Sequence, residues 1–461
     1  MRFSGGGDPL PPPGSTDRNP MIVQPASGPL AGSIRTSPDK SITHRLLFFA
    51  AMNRGRTIIG NPSLAADCAS TLGLLRSAGY GFQSEPGRII CDGSPSPRDA
   101  WSGRFDCGNS GTTARLAAGF LTGERGRFLL DGDESLRRRP MERVAGPLRL
   151  MGAEIATAGG SLPLTIDAAP PLAGPLPGTM LDVSSAQVHA ALVIAAIRSA
   201  LPVAIRRVAP MRDHTLRIAR LFGLEIGTEE VAGCAVDTLE SFEMRRDIDF
   251  TIPGDLSSAA FIIAAAMLVP GSRVRIERVG LNPTRIALLG CLQEMGGNLS
   301  WTVDDAAREP VGSIDVSYSP GLAGIALGGD DASVDIPGMI DELPLLALIG
   351  SQAEGITTVR GAAELRLKES DRISATAAML RGLGIRIDEL ADGFSVAGPQ
   401  RVAGGVADHH GDHRLCMTAA VAALVADGPV TIPSPGVAAV SYPGFWDDLR
   451  AIGAPAGEET A

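Results

Sequence analysis

A leucine or alanine followed four residues later by glycine closes an amphipathic segment at six places along this chain. The six are Leu75–Gly79, Leu148–Gly152, Ala219–Gly223, Leu292–Gly296, Leu380–Gly384 and Leu449–Gly453, with successive glycines 73, 71, 73, 88 and 69 residues apart. Glycine directly past a helix end takes the left-handed conformation that stops the helix, because it has no Cβ to clash. Alternating segments such as Leu224–Ile226 and Ile385–Ile387 follow and read as strands. Spacings of this size exceed those of solenoid repeats. The chain is constrained to six copies of one α/β module.

A second series interleaves with the first. The runs Ser41–Met52, Gly111–Leu121, Ser184–Ala200, Ser257–Val269, Asp341–Ala353 and Asp412–Ala426 are rich in Ala, Leu and Ile, with little charge past the first turn. A helix apolar on every side is buried. Each module therefore reads as a buried helix, a strand, an amphipathic helix and a strand, with three modules in each of two halves. The boundary is expected near Arg245–Asp249, and the strand Ile22–Gln24 is free to pair with either half.

The starts of the buried helices carry the most polar short motifs: Asp39-Lys40-Ser41, Gly108-Asn109-Ser110-Gly111-Thr112, Ser184-Ser185-Ala186-Gln187, Gly254-Asp255-Leu256-Ser257-Ser258, Asp341-Glu342 and Gly411-Asp412-His413-Arg414. Capping accounts for the Ser, Asp and Asn residues. It does not ask for Lys40, Gln187 or Arg414. Helix N-termini attract anions through free N–H groups and the positive dipole end. If the buried helices of each half run parallel, two such faces opposed make a cleft for negatively charged ligands.

Arg366–Arg372, RLKESDR, packs five charges into seven residues ahead of the helical pattern Ile373–Leu383. A salt-bridged helix start explains such a run on its own. The polar motifs at the other helix starts offer it a place in the cleft instead.

The formal net charge of −10 argues against a nucleic-acid partner. Six separated cysteines without a CxxC pair suggest neither zinc nor a disulfide framework, and the histidines are too scattered for a metal site. His409-His410 reads as an exposed glycine-rich loop. No run is apolar and long enough to span a membrane, and no secretory signal opens the chain. Residues 1–20 read as a disordered tail, and a cytoplasmic protein is expected.

The motifs together resemble one family, 5-enolpyruvylshikimate-3-phosphate synthase. The matching stretches are Asp39-Lys40-Ser41-Ile42-Thr43-His44-Arg45, Gly108-Asn109-Ser110-Gly111-Thr112-Thr113, Leu136-Arg137-Arg138-Arg139-Pro140, Ser185-Ala186-Gln187-Val188, Arg212-Asp213-His214-Thr215, Asn282-Pro283-Thr284-Arg285, Ile340-Asp341-Glu342-Leu343-Pro344, Leu367-Lys368-Glu369-Ser370-Asp371-Arg372 and Asp412-His413-Arg414. They run from residue 39 to 414 in the family's order. The resemblance implies an inside-out α/β barrel: two similar globular domains, each of three βαβαββ modules, with a cleft between. The halves expected are 38–245, and 21–37 joined to 246–461.

The resemblance further implies transfer of the enolpyruvyl group of phosphoenolpyruvate to the 5-hydroxyl of shikimate 3-phosphate, with release of phosphate, in the shikimate pathway. It implies no cofactor, no catalytic metal and no partner beyond the two substrates, in a monomer. It assigns Lys40, Ser41, Arg45, Ser185, Ala186, Gln187, Arg212, Asp341 and Lys368 to shikimate 3-phosphate. Lys40, Asn109, Gly111, Arg139, Gln187, Arg372 and Arg414 go to phosphoenolpyruvate. Asp341, Glu369 and Lys40 are expected to move protons, because paired carboxylates in unlike surroundings serve as base and acid. Arginine suits the substrates' planar oxyanions, which it binds through parallel hydrogen bonds. Arg137 and Arg138 read as surface residues.

Two features depart from or qualify the pattern. Ala439-Val440-Ser441-Tyr442-Pro443 lacks the lysine that some members carry there, as in the family's second sequence class. Gly111, in place of alanine, implies sensitivity to glyphosate, an inhibitor of the phosphoenolpyruvate site. The sister transferase acting on UDP-N-acetylglucosamine is the nearest alternative. It would need a catalytic cysteine, for which Cys91 and Cys107 qualify only by type, and Cys107 reads as buried helix-entry structure. A non-catalytic binder of phosphorylated ligands is the alternative from another class; intact Lys40, Asp341, Glu369, Arg139, Arg372 and Arg414 argue against it.

Overall fold

The computed structural model describes residues 19–93, 100–174, 180–329 and 335–458. The expected N-terminal tail, apart from its last two residues, lies outside them. Among the described residues the strands form six four-stranded sheets. Each holds one parallel pair of strands, followed by two antiparallel neighbours.

The buried helices are Lys40–Met52, Gly111–Leu121, Ala186–Ser199, Leu256–Leu268, Leu343–Gln352 and His413–Leu424. They lie within two residues of the apolar runs at every end. The first three pack on one another, as do the last three, and each trio is the centre of its own hydrophobic core. Sheets and amphipathic helices surround both trios, giving the inside-out α/β arrangement.

All six signature glycines have positive φ, from 80° at Gly79 to 96° at Gly453. In every copy the residue after the glycine donates its N–H to the signature Leu or Ala carbonyl, as Tyr80 does to Leu75 and Ile385 to Leu380. This is a Schellman stop. A second element of the repeat was not read from the sequence. Three residues before each glycine stands Arg76, Arg149, Arg220, Gln293, Arg381 or Arg450. Each donates its side chain to the carbonyl six residues on, at the first or second residue of the next strand. One long side chain thus ties every outer helix to the strand it feeds.

Five of the six modules have two strands after the outer helix, not one: a hairpin such as Phe82–Glu85 with Arg88–Asp92. The strands before the first and fourth buried helices exchange places. Ala31–Ile34 pairs with Arg273–Gly280 in the later half, and Ile248–Thr251 pairs with Arg56–Gly60 in the earlier one. Phe250 and Ile252 belong to the first core. The second crossing therefore follows Ile252, several residues beyond the boundary expected near Arg245–Asp249. The two crossing segments run side by side: Asp39 N–H donates to Pro253 O at 2.9 Å and Asp255 N–H to Ser37 O at 2.8 Å. Met21–Val23 sits between Val430–Ile432 and Ala456–Glu458, which settles its pairing in the later half.

Candidate active site

The first turns of all six buried helices, or the residues just before them, reach one cavity of about 410 Å³. Its wall holds nine lysines and arginines against five aspartates and glutamates. A chain with a net charge of −10 thus encloses a cationic cleft. The helix caps are local: Asp39, Ser110, Asp255 and Asp412 each accept an N–H of the first turn. Ser185 stands at the cap position of Ala186–Ser199, yet its side chain makes no capping bond. Ser185 and Ser184 both line the cavity.

RLKESDR divides between two tasks. Arg366 pairs with Asp371 at 2.7 Å and with Glu389 at 3.0 Å on the outer side, and Asp371 caps the helix Arg372–Gly382. Lys368, Glu369 and Arg372 turn to the cleft. Arg372 is the centre of the charge network. Its Nε donates to Asp412 Oδ2 at 2.8 Å, its Nη1 to Asp341 Oδ1 at 3.3 Å and its Nη2 to Glu369 Oε2 at 2.6 Å. Only 1% of its side chain is exposed.

Asp341 also faces Arg212 at 2.9 Å, Lys368 at 3.6 Å and Arg414 at 3.7 Å. Burial works against its charge. Lys368, Arg414, Arg212 and Arg372 outweigh it and hold the carboxyl well below the usual range. Glu369 behaves alike: burial opposes ionisation, and Arg372 and Arg139, the latter 3.5 Å away, hold it ionised. Lys40 Nζ lies 2.7 Å from Asp67 Oδ2, and this partner overcomes burial to keep the ammonium protonated. His44 and His413 also line the cavity, and burial pushes both down to about 3. At neutral pH neither is an imidazolium.

Ser41, Ala186, Gln187, Gly111 and Arg139 line the cavity with the residues above. Two expected contacts do not. Arg45 lies behind the wall, where it donates to Thr215 Oγ1 at 2.8 Å, to Ser41 O at 2.9 Å and to Ala186 O at 3.1 Å. It ties the starts of two buried helices together. Asn109 donates to Asp133 Oδ2 at 2.6 Å and accepts from Arg139. It holds Arg139 without reaching the cavity. His409 departs from the exposed loop expected for it: it is buried and its Nε2 meets Pro433 O at 2.5 Å. Arg137 and Arg138 are exposed, as read.

Sequence reasoning missed Asp67, Arg115, Arg143 and Glu364 in the wall, and gave no role to Asp255 and Arg285, though both stand in motifs it quoted. Arg143 meets Glu364 across the cleft at 2.6 Å. Arg115 and Arg285 had a visible signal, being charges next to or within otherwise apolar segments. Burial raises Cys91 to about 11 and Cys107 to about 12, so neither is a thiolate at neutral pH. Neither lines the cavity.

A scan against known families matches residues 25–449 to EPSP synthase (3-phosphoshikimate 1-carboxyvinyltransferase). The 3-phosphoshikimate 1-carboxyvinyltransferase of Synechococcus sp. (strain RCC307) is 42% identical over 92% of this chain and 97% of its own. That of Lactiplantibacillus plantarum is 39% identical over 94% of this chain and 98% of its own. Among solved structures, EPSP synthase from Acinetobacter baumannii superposes with a TM-score of 0.80 at 32% identity, covering 96% of this chain and 100% of that one. The enolpyruvyl transferase NikO from Streptomyces tendae shares the fold, with a TM-score of 0.73 at 19% identity over 96% of this chain and 99% of that one. Six modules, a cationic cleft and full-length likeness agree: the chain belongs to the EPSP synthase family of shikimate-pathway enolpyruvyl transferases.

Proposed function

We propose that this protein transfers the enolpyruvyl group of phosphoenolpyruvate to the 5-hydroxyl of shikimate 3-phosphate and releases phosphate. The observation that carries the reading is the pair Asp341 and Glu369, both ionised and both bonded to Arg372, in a cleft with an excess of cations. Such a cleft suits two phosphorylated carboxylates, because each bound anion meets a cation already aimed at it.

In the first step the 5-hydroxyl oxygen bonds to C2 of phosphoenolpyruvate, its proton leaves to Asp341, and C3 takes a proton from Glu369, which picks one up as the substrates bind. The product is a tetrahedral intermediate. In the second, C3 loses a proton, the C2–O bond to phosphate breaks and the enol double bond re-forms. Lys368, Arg212 and Ser185 would hold shikimate 3-phosphate with Lys40, Ser41, Ala186 and Gln187. Arg139, Arg372, Arg414, Lys40, Gln187 and Gly111 would surround phosphoenolpyruvate. Bound anions engage the cations that now hold Asp341 and Glu369 ionised. Both carboxyl pKa values then rise, Asp341 becoming a better base and Glu369 able to carry the C3 proton. Lys40, protonated already, shares in these transfers.

The halves of this reading are 38–252, and 21–37 joined to 253–458, closing on the substrates and excluding water. Phosphate release from phosphoenolpyruvate, with shikimate 3-phosphate present or omitted, tests it. Release that requires shikimate 3-phosphate and collapses in Glu369→Gln supports it. Release with UDP-N-acetylglucosamine alone moves the chain to the sister reaction, and tight binding of shikimate 3-phosphate without turnover makes it a binder.

A further inference from the structure

Among the described residues, every lysine or arginine in the cavity wall has a carboxylate oxygen within 4 Å except Arg115. Its acceptors are instead Gln187 Oε1, at 2.6 Å from Nη1, and Pro140 O, at 3.4 Å from Nη2. Its buried Nε has no partner, and only 8% of the residue is exposed. Burial, with Arg143 and Arg139 nearby, brings it down to about 10, so it remains a cation at neutral pH. A buried charge held this way is costly, which makes its one short bond informative.

We propose that Arg115 is a positioning residue that fixes the orientation of the Gln187 side-chain amide. A guanidinium only donates. The end of the amide that meets Arg115 must therefore be the carbonyl. The NH₂ end is then turned away, where it donates to Thr112 Oγ1 at 2.9 Å beside the cavity. A donor, not an acceptor, is thereby presented to anions in the cleft. Without Arg115 the amide is free to turn over and offer a carbonyl oxygen to a phosphate or carboxylate, which repels it. Arg115 stands one helical turn after Gly111, from which its side chain leans back toward the helix start.

The inference rests on the enolpyruvyl-transfer reading for its ligands. Its test is a cycle of Arg115→Met, Gln187→Ala and the double variant. Two quantities are read: the phosphoenolpyruvate KM and kcat in phosphate release with shikimate 3-phosphate, and the phosphoenolpyruvate Kd by calorimetry. Arg115→Met is expected to raise KM and Kd about tenfold in the native background and less than twofold in Gln187→Ala. Arg115→Lys, which keeps a donor-only cation, should recover most of the loss, and it tests the idea if the methionine variant fails to fold. Effects that multiply in the double variant, or no rescue by lysine, overturn the proposal. Coupling in Kd without turnover by the native enzyme would sustain Arg115's role and sink the transfer reading. Turnover without coupling would do the reverse.

Discussion

Arg212 Nη2 of one half donates to Asp341 Oδ2 of the other at 2.9 Å, so a single carboxylate takes cations from both walls of the cleft. Replacing Asp341 by Asn removes the proposed base and leaves Arg212, Lys368, Arg372 and Arg414 facing one another without it. Turnover is expected to fall about 10²–10⁴-fold, read as phosphate release at saturating substrates. A loss of less than about fivefold would remove Asp341 from the chemistry.

The same network sets a pH dependence of stability. Asp341 and Glu369 both have folded pKa values depressed below those of the unfolded chain, where carboxyls titrate near about pH 4. Their stabilising contribution is complete above that range and is lost as the pH falls through the lowered folded values. Melting temperatures recorded from neutral pH down to pH 3 should drop more shallowly in an Asp341→Asn, Glu369→Gln double variant than in the native chain. Equal slopes would contradict the assignment.

Arg143 and Glu364 pair across the cleft rim and are partly exposed, at 25% and 40%. A pair of this kind contributes about 0.2–1 kcal/mol. Arg143→Glu alone should raise the KM of both substrates a fewfold, and adding Glu364→Arg should restore it. Since exposed pairs are screened, the native KM should rise with salt more than that of an Arg143→Met, Glu364→Met variant.

A Cβ at residue 111 would lie 2.9 Å from Arg115 Nη1 and 3.4 Å from Arg139 Nη1. Glycine is needed here for the approach of two guanidinium groups. Gly111→Ala should displace Arg115, raise the phosphoenolpyruvate KM about tenfold and leave the melting temperature almost unchanged. Glyphosate inhibition followed in parallel should weaken in this variant; an inhibition curve of the native enzyme flat into the millimolar range would reject the expected sensitivity.

Gly384 offers the complementary case. Its φ is 82° and a Cβ would meet only Ala403, at 3.4 Å. Gly384→Ala should cost about 1–2 kcal/mol of stability, seen in denaturant unfolding, with kcat and KM unchanged.

The repeat was legible because its two signals are local: a helix stop every seventy or so residues and an apolar run between stops. Arg381 and its equivalents stood in plain view, but their acceptors are backbone carbonyls, which no residue type announces. In the site, Lys40, Gln187, Asp341, Glu369, Arg372 and Arg414 stand in short motifs and were readable. Asp67, Arg143 and Glu364 lie outside such motifs, and only the packing of outer helices against the cleft brings them in. Arg45 and Asn109 lie in motifs, yet their side chains are spent on neighbours. The exchange of Ala31–Ile34 with Ile248–Thr251 had no local signal; the family resemblance put the first strand in the later half, and nothing put the second in the earlier one.

Because Met21–Val23 pairs with Val430–Ile432 and Ala456–Glu458, a strand made early in synthesis waits for partners made much later. At about 5–20 residues per second, the roughly 400 residues between them take on the order of 20–90 s to synthesise. Among the described residues the earlier hydrophobic core holds none beyond Ile252, so it is free to close while the ribosome is still translating. Its sibling closes only after residues 430–458 have emerged, and until then the strand Met21–Val23 stays unpaired and must be shielded.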